Sequence, residues 1–373
     1  MNKTICLIFI TFCTLASSVL YGQIKKENLD TLVNRLGENF LKNKQAVGLS
    51  IGVYNNGTNY FYNYGTIEKG ETKLPSQNTV YEIGSITKAF VSLILANAVI
   101  EKKVKLDDDI RKYLDGNYPN LEFKGKAITL LELSNTTSRL PNWLPLLTKQ
   151  ISDAPPDSIP YYIEKIYKKY SQKDILDALH RVVIDTVPGT RSAHSNGAAL
   201  LLSYILEKVY NTSIENLVAK YILKPDKMNN TSFLASKSNP MFLAKGYNNA
   251  GKQMPYFTTP FLKGVGGLNS TTSDLINFIK LQLDSTKVSV NLSHQKTFKT
   301  EWGNIGLSWQ IYKWDNGNHQ FWVTGGTYGF SSYLIFYPEI NSGVVVLSNE
   351  SDLSSSDRIS DVADGIFQFI SNK

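Results

Sequence analysis

Residues 81–90 read Tyr-Glu-Ile-Gly-Ser-Ile-Thr-Lys-Ala-Phe, and this stretch places Ser85 and Lys88 three positions apart at the start of an apolar segment. On a helix, residues with this spacing lie on one face, with Cβ atoms about 5–6 Å apart. A hydroxyl and an amine held in this way can work as a nucleophile and its activating base. Residues 91–100 are apolar nearly all round, which is typical of a buried helix. The stretch therefore predicts a helix that carries a catalytic pair into a protein core.

The Ser-x-x-Lys spacing also has simpler explanations, because a serine before an apolar run can cap a helix and a lysine can extend to the surface. The spacing recurs at Ser293 and Lys296, in a polar stretch without a helical pattern, where we attribute it to chance. The apolar neighbours of Lys88 favour a buried amine, and burial disfavours the charged form of lysine. A neutral Lys88 could accept the proton of Ser85.

The first 22 residues predict a signal peptide. Lys3 precedes an apolar or small-residue run at 5–20, and no stop-transfer charge cluster follows. We therefore expect an exported chain, periplasmic or secreted. Both cysteines, Cys6 and Cys13, fall within residues 1–22, so we expect no disulfide in the mature chain.

Charge and hydropathy argue against two classes of partner. The 373 residues include 39 Lys and Arg against 32 Asp and Glu, a formal net charge of +7. The basic residues are scattered and often stand beside acidic ones, so we expect no nucleic-acid partner. After residue 22 no stretch reaches the ~18 apolar residues of a spanning helix, so we expect no membrane span in the mature chain.

Hydrophobic periodicity predicts the order of helices and strands. We expect a helix at 29–41, a hairpin of strands at 47–54 and 58–64, the apolar helix after Ser85, a second apolar helix at 198–209, strands at 321–323, 331–336 and 343–347, and a closing helix at 359–370. Residues 142–180, rich in proline and tyrosine, are interpreted as an insertion that is helical around 163–170.

This order predicts an α/β fold of the α+β type. Its antiparallel sheet is assembled from both ends of the chain and flanked by helices, with a helical domain inserted. We place the α/β part at about 23–80 and 260–373, and the helical part at about 81–259.

Six blocks follow one another in the order of a known family. They are residues 81–90, 128–131 through 137–141, 188–190 through 194–196, 222–228, 266–268 through 273–275, and 324–330. On these blocks, residues 30–370 resemble the serine β-lactamase-like superfamily, in particular the branch of class C β-lactamases, D-alanyl-D-alanine carboxypeptidases, D-aminopeptidases and related esterases. The resemblance implies a β-lactamase/transpeptidase-like fold, with residues 23–373 forming one serine hydrolase domain.

The resemblance also implies a role for each matching residue. Ser85 is the nucleophile that becomes acylated, Lys88 is its base, and the backbone N–H groups of Ser85 and Gly326 form the oxyanion hole. Thr324 and Gly325 precede Gly326 on the strand that lines the cleft, where glycine lets a ligand approach the backbone closely.

His194 stands where relatives mostly have a tyrosine that shuttles protons. Histidine can do this work, since its unperturbed pKa lies near neutrality. The alternative is a polar residue without a catalytic part. Asn196 is expected to hydrogen-bond Lys88 or a substrate amide, and it could also cap the helix that follows.

Val323 is a second departure, because relatives usually have a lysine or histidine there that meets a substrate carboxylate or supports the tyrosine. Valine can do neither, which favours an ester or amide without a free acid. His319 lies on the same strand face but ~13 Å away, too far to substitute. Thr136 and Arg139 replace the usual His and Gly in a loop that we interpret as lining the site.

Together these residues favour an exported serine hydrolase that cleaves an amide or ester bond of a small molecule or short peptide. One alternative is a β-lactamase or D-Ala-D-Ala carboxypeptidase proper, against which Val323 counts. Another is a peptide-binding protein that has lost catalysis, against which the retained Ser85 and Lys88 count. No cofactor or metal is expected, since the chain has no His-Glu-x-x-His motif and no clustered His and Cys.

Overall fold

The computed structural model describes residues 28–233, 242–351 and 354–371. The expected signal peptide at 1–22 and both cysteines lie outside these ranges. Within them, no helix combines the length and the apolar character that a bilayer crossing requires.

Short helices alternate with the strands of one large sheet and several small ones. The strands are β1 (Gly48–Asn55), β2 (Thr58–Gly65), β3 (Tyr81–Glu82), β4 (Glu122–Phe123), β5 (Lys126–Ala127), β6 (Tyr247–Asn248), β7 (Asn269–Ser270), β8 (Phe298–Thr300), β9 (Gly303–Ile305), β10 (Gln310–Lys313), β11 (His319–Gly326), β12 (Ser331–Tyr337), β13 (Ser342–Ser348) and β14 (Glu350–Ser351). The α-helices are α1 (Leu29–Leu41), α2 (Thr87–Ile100), α3 (Leu130–Ser134), α4 (Lys149–Ser152), α5 (Ile159–Tyr167), α6 (Gln172–Leu179), α7 (Asn196–Tyr210), α8 (Ile214–Val218), α9 (Lys263–Gly266), α10 (Thr272–Leu283), α11 (Val288–Ser293) and α12 (Ser355–Ser371).

The large sheet has eight antiparallel strands in the order β2-β1-β13-β12-β11-β10-β9-β8. Leu49 of β1 pairs with Ser348 of β13, so the first hairpin joins strands that come about 300 residues later. The predicted α+β architecture, with an antiparallel sheet built from both ends of the chain and flanked by helices, is confirmed. The limits of its two parts, 23–80 with 260–373 and 81–259, stay predictions.

Helices cover both faces of the sheet because its central strands carry apolar side chains on both faces. Along β13, Val344 and Val346 pack in one core with residues of α1 and α12. Val345 and Leu347 belong to a larger core on the opposite face, which includes α2 and α10. The sheet is therefore the middle layer between a helix pair and the larger helical part of the molecule.

Helix α2 lies inside this larger core. Of its 14 residues, 10 are buried, on all sides of the helix, as its apolar sequence predicts. Phe90 stacks on Phe278 of α10 with ring centroids 3.8 Å apart. A 3₁₀ turn at Gly84–Ile86 leads directly into the helix, so the packing of α2 fixes the position of Ser85.

The structure differs from the sequence-based assignment in three segments. Residues 142–180 form α4, α5 and α6, and α5 ends at Tyr167. Periodicity gives no signal for β8, β9 and β10, because strands of three or four residues are too short to show it. Ser293 ends a short helix, where none was expected, and its hydroxyl donates to the carbonyl oxygen of Val290 at 2.8 Å. This contact supports a structural role for the second Ser-x-x-Lys serine.

Phe278→Ala is expected to lower the free energy of unfolding by about 3–5 kcal/mol, because it removes a fully buried ring that packs on Phe90 and Trp309. Urea unfolding followed by circular dichroism measures the change. Trp302→Ala is the control, since that ring is 82% exposed and its loss should change the free energy by less than about 0.5 kcal/mol. Equal effects of the two substitutions would contradict this placement of the core.

Candidate active site

A cavity of about 570 Å³ opens between the start of α2, the start of α7 and the end of β11. Its lining includes all seven residues singled out in the sequence, namely Ser85, Lys88, His194, Asn196, Thr324, Gly325 and Gly326. These residues come from three segments, each more than 100 residues from the next. Tertiary packing therefore assembles the site.

Ser85 and Lys88 are within hydrogen-bonding distance of each other. Lys88 Nζ lies 2.7 Å from Ser85 Oγ and donates to the carbonyl oxygen of Val265 at 2.9 Å. In a neutral amine, one N–H can point to Val265 while the lone pair faces the hydroxyl proton of Ser85. The capping alternative for Ser85 is wrong, because α2 has Ile86 at its N-cap and no side-chain cap.

Burial lowers the pKa of the Lys88 amine from 10.5 to about 7, because the charged form loses its hydration. No Asp or Glu is among the described residues that line the cavity, so no carboxylate there offsets this loss. The amine is then neutral above a pH of about 7 and protonated below it. A substantial fraction can therefore act as a base at neutral pH.

Two glycine contacts bring the turn of Ser85 against the end of β11. Gly84 has a φ of +48°, and a Cβ there would lie 2.5 Å from the backbone nitrogen of Gly326. A Cβ at Gly325 would overlap the carbonyl oxygen of Ile83. Glycine is the residue that permits both approaches. The turn that carries Ser85 and the backbone of Gly326 are therefore in close contact at one end of the cavity.

The end of β11 presents backbone to the cavity. β10 pairs with β11 as far as Trp322, and Thr324 and Gly326 beyond this point are exposed. Val323 is 8% exposed and lines the cavity with an apolar side chain. Among the described lining residues, Lys88 is the one Lys or Arg. The cavity therefore offers a substrate backbone an edge to pair with, but no second lysine or arginine to bind a substrate carboxylate.

His194 lies at the mouth of the cavity, immediately before the N-cap of α7. Its Nδ1 is 3.0 Å from Oδ1 of Asn142. Desolvation, followed by the nearby charge of Lys88, lowers the pKa of the His194 ring below its ordinary value of 6.5. The ring is therefore mainly neutral at neutral pH, the state in which one of its nitrogens can accept a proton.

Ser195, not Asn196, caps α7. Ser195 Oγ accepts a hydrogen bond from the N–H of Ala198 at 2.9 Å, so the capping alternative for Asn196 is wrong. Among the described residues, the amine of Lys88 has its hydrogen bonds with Ser85 and Val265, and the expected bond of Asn196 to Lys88 or to a substrate amide stays a prediction. The side chain of Asn196 lines the cavity.

The remaining departures from the family pattern lie at the rim of the site or outside it. Thr136 and Arg139 each have a φ of +65°, and Arg139 Nε is ion-paired with Asp185 at 3.1 Å. These features agree with a structural loop, of which Thr136 lines the cavity. His319 pairs with Glu339 at 2.8 Å and is not among the residues that line the described cavity.

Sequence reasoning gave no role to Glu82. This buried carboxylate accepts hydrogen bonds from Thr327 Oγ1 at 2.6 Å and from the backbone N–H of Phe257 at 2.5 Å. Burial raises its pKa to about 7. Glu82 thereby holds two segments of the cavity wall beside Ser85. The sequence did contain a signal for Glu82, namely an acidic residue within an apolar stretch. Such a residue is expected to be buried with hydrogen-bond partners, because buried carboxylates without partners are rare.

A second serine pattern, Gly48-Leu49-Ser50-Ile51-Gly52, matches the nucleophile elbow of α/β-hydrolases. Ser50 is fully buried inside β1 rather than exposed at a turn between a strand and a helix. Its hydroxyl contacts Asn63 Oδ1 and the hydroxyl of Tyr81, each at 2.9 Å. Ser50 is therefore a structural residue.

Comparisons with known proteins agree with this geometry. A sequence model of the family described as Beta-lactamase matches residues 33–365. A β-lactamase of Pseudomonas fluorescens is 23% identical over 355 residues, which cover 86% of this chain and 93% of that protein. Protein flp of Staphylococcus aureus (strain MRSA252) is 27% identical over 336 residues, which cover 87% of this chain and 63% of that protein.

Solved structures share the fold. A class C β-lactamase aligns with a TM-score of 0.77 at 22% identity, covering 93% of this chain and 98% of that one. A β-lactamase/D-alanine carboxypeptidase from Yersinia pestis, complexed with citrate, aligns with a TM-score of 0.75 at 24% identity, covering 92% and 98%. The resemblance inferred from the six sequence blocks is confirmed.

Gly84→Ala is expected to destabilise the protein more than Gly70→Ala and to slow acylation at Ser85 by about 100-fold, because a shift of about 1 Å at the site has that effect. Both glycines have positive φ, but a Cβ at Gly70 would have nothing within 4 Å, whereas one at Gly84 would press on Gly326. The control should therefore show only the backbone strain, about 1–2 kcal/mol. Urea midpoints and the rate of fluorophosphonate labelling test this, and equal values for the two variants would contradict the assigned contact.

Proposed function

We propose, from the premise that this chain belongs to the Beta-lactamase family, that it is an exported serine hydrolase which cleaves an amide or ester bond through an acyl-enzyme on Ser85. The observation that carries the proposal is the 2.7 Å contact between Ser85 Oγ and Lys88 Nζ at the floor of a cavity. A lysine with a pKa of about 7 is suited to take the serine proton. Export is proposed from the signal peptide predicted at 1–22.

In the proposed reaction, Ser85 Oγ attacks the carbonyl carbon of the substrate while its proton passes to Lys88 Nζ. The carbonyl oxygen becomes negative against the backbone N–H groups of Ser85 and Gly326. The bond to the leaving nitrogen or oxygen then breaks, and the leaving group takes the proton that Lys88 received, either directly or relayed through His194. Water next attacks the acyl carbon while one of its protons passes to Lys88 or His194. The bond between the acyl carbon and Ser85 Oγ then breaks, and the same proton returns to Oγ, which releases the acid and regenerates Ser85.

The lining of the cavity supports a substrate whose acyl part is neutral. Aromatic side chains of Trp143, Phe257 and Tyr328 line it, and Val323 occupies the position where relatives usually have a cation. A free carboxylate near Val323 would lose hydration without gaining an ionic partner. An ester or amide without a free acid avoids this penalty.

A β-lactamase or D-Ala carboxypeptidase proper is the second candidate, because relatives and structural neighbours are named so. Val323 counts against it, since the carboxylate of such substrates would face a valine. A binding protein without turnover is the third candidate. The burial of Lys88 counts against that reading, because a protein that only binds gains nothing from a desolvated amine beside a serine.

Ser85→Ala is expected to abolish covalent modification, because it removes the proposed nucleophile. Intact mass is measured after incubation with a fluorophosphonate and, separately, with a penicillin. Ser293→Ala is the matched control, since it removes the serine of the second Ser-x-x-Lys and should leave the adduct in place. An adduct that persists in Ser85→Ala would overturn the mechanism. A wild type without any adduct would favour the binding protein.

Val323→Lys is expected to raise the preference for a penicillin over its methyl ester by about 10- to 100-fold, because a hydrogen bond to a charged group contributes about 1.5–3 kcal/mol. The ratio of kcat/KM for the two compounds gives the preference. Val323→Met is the control, since it adds bulk without charge and should leave the ratio unchanged. A wild type that already prefers the free acid to this degree would support the β-lactamase alternative.

A further inference from the structure

Asn142 connects His194 to the start of α7. Its Oδ1 lies 3.0 Å from His194 Nδ1 and accepts a hydrogen bond from the backbone N–H of Asn196 at 3.2 Å. Asn142 directly follows a family block and was not among the residues singled out from the sequence.

These two contacts determine which nitrogen of His194 carries the proton. A backbone N–H can only donate, so the atom of Asn142 that faces Asn196 must be the amide oxygen rather than the amide nitrogen. That oxygen can only accept, so His194 Nδ1 must be the donor. In a neutral imidazole the other nitrogen, Nε2, then holds the lone pair.

The segment that carries Asn142 is itself fixed. The backbone N–H of Gly197 donates to the carbonyl oxygen of Asn142 at 3.2 Å, and Ser195 Oγ donates to the carbonyl oxygen of Pro141 at 2.9 Å. The side chain and backbone of Asn142 are thus held by consecutive residues at the start of α7. Although the side chain of Asn142 is exposed, a flip of its amide would place the amide nitrogen, a donor, against the N–H of Asn196 and would lose that hydrogen bond.

We propose that Asn142 is a positioning residue that holds His194 as the Nδ1–H tautomer, so that Nε2 is the nitrogen that accepts and returns protons in the cavity. The inference rests on the proposed function, in which His194 takes the place of a tyrosine hydroxyl. A hydroxyl can donate or accept as it rotates, whereas an imidazole does the same work only when the correct nitrogen is free. A histidine at this position therefore needs a partner that sets its tautomer, and Asn142 supplies it.

The charged surroundings of His194 are consistent with this role. Lys88 and Tyr328 are the other titratable side chains among the described residues that line the cavity. Lys88 acts in the same direction as desolvation, since both lower the pKa of the ring. Desolvation, the larger cause, favours the neutral ring whether Lys88 is charged or not, and in the neutral ring the tautomer decides which nitrogen can accept a proton.

The test compares Asn142→Leu, which removes the acceptor, with Asn142→Asp, which keeps it and adds a charge. Nitrogen chemical shifts of ¹⁵N-labelled histidine report the tautomer directly, and His194→Gln assigns the signal among the four histidines. At a pH above the titration of the ring, wild type and Asn142→Asp should show a protonated Nδ1 and an unprotonated Nε2, whereas Asn142→Leu should show a mixture or the Nε2–H form. A wild-type Nε2–H ring, or an unchanged spectrum in Asn142→Leu, would overturn the proposal.

A pH profile of kcat provides the second readout. It is measured on Asn142→Asp, so it tests the proposal even if Asn142→Leu does not fold. A carboxylate beside Nδ1 stabilises the imidazolium and raises the pKa of His194, so the base form is lost at a higher pH as the solution is acidified. In wild type the His194 step lies below the Lys88 step near pH 7. Asn142→Asp should therefore move the His194 step of the profile to higher pH and keep wild-type kcat at high pH. Asn59→Asp adds the same charge on an exposed strand position and should move nothing.

The two readouts separate this inference from the proposed function. The ring spectrum does not depend on turnover, so the Nδ1–H form in a protein without a Ser85 adduct would refute the hydrolase proposal alone. An Nε2–H ring in a protein that Ser85 labels normally would refute the role of Asn142 alone. An unchanged His194 step in Asn142→Asp would also count against that role.

Discussion

The site depends on an amine that is buried beside a hydroxyl. A permanently charged lysine at the floor of this cavity would be costly, because no carboxylate lines the described cavity to compensate for lost hydration. The amine reduces this cost by giving up its proton, and the same neutral state lets it act as a base toward Ser85. The apolar helix α2, enclosed in the larger core, creates this condition. Burial of Lys88 is therefore the origin of the proposed reactivity, and the packing of α2 in the larger core maintains that burial.

A second constraint joins this helix to the sheet. Gly84 and Gly326 are about 240 residues apart in the chain. Their backbones are nevertheless so close that a Cβ on Gly84 would overlap the backbone of Gly326. Pairing of β11 with β12 holds Gly326 in the sheet, and the hydroxyl of Ser332 on β12 donates to the carbonyl oxygen of Ile83, next to Gly84, at 2.9 Å. Ser85, the proposed nucleophile, is therefore held against the end of β11, which carries the proposed backbone donor of Gly326. Such a fixed arrangement suits electrostatic stabilisation by preorganised groups.

The signals that the sequence carries explain which parts of this arrangement were predictable. Ser85 and Lys88 are neighbours on one helix, so spacing and apolar context were enough to find them. Periodicity predicted the helix and the strand that carry the other site residues, but not their nearness to Ser85, and those residues were found through the order of the family blocks. Asn142 was missed because its proposed role depends on its hydrogen bonds to His194 and Asn196, which are formed only in the folded loop. The three short strands β8, β9 and β10 were missed because pairing with one another and, for β10, with β11 defines them, rather than a pattern of their own.

The central claim is that a substantial fraction of Lys88 is neutral at neutral pH. Direct titration of its amine tests this claim most closely. NMR of ¹³C-labelled lysine side chains follows the Lys88 Cε signal against pH, with Lys88→Met assigning the resonance. The structure predicts a midpoint near pH 7, because burial lowers the pKa of Lys88 to about 7. A midpoint near the ordinary value of 10.5 would show a charged, hydrated amine and would contradict its proposed role as the base for Ser85.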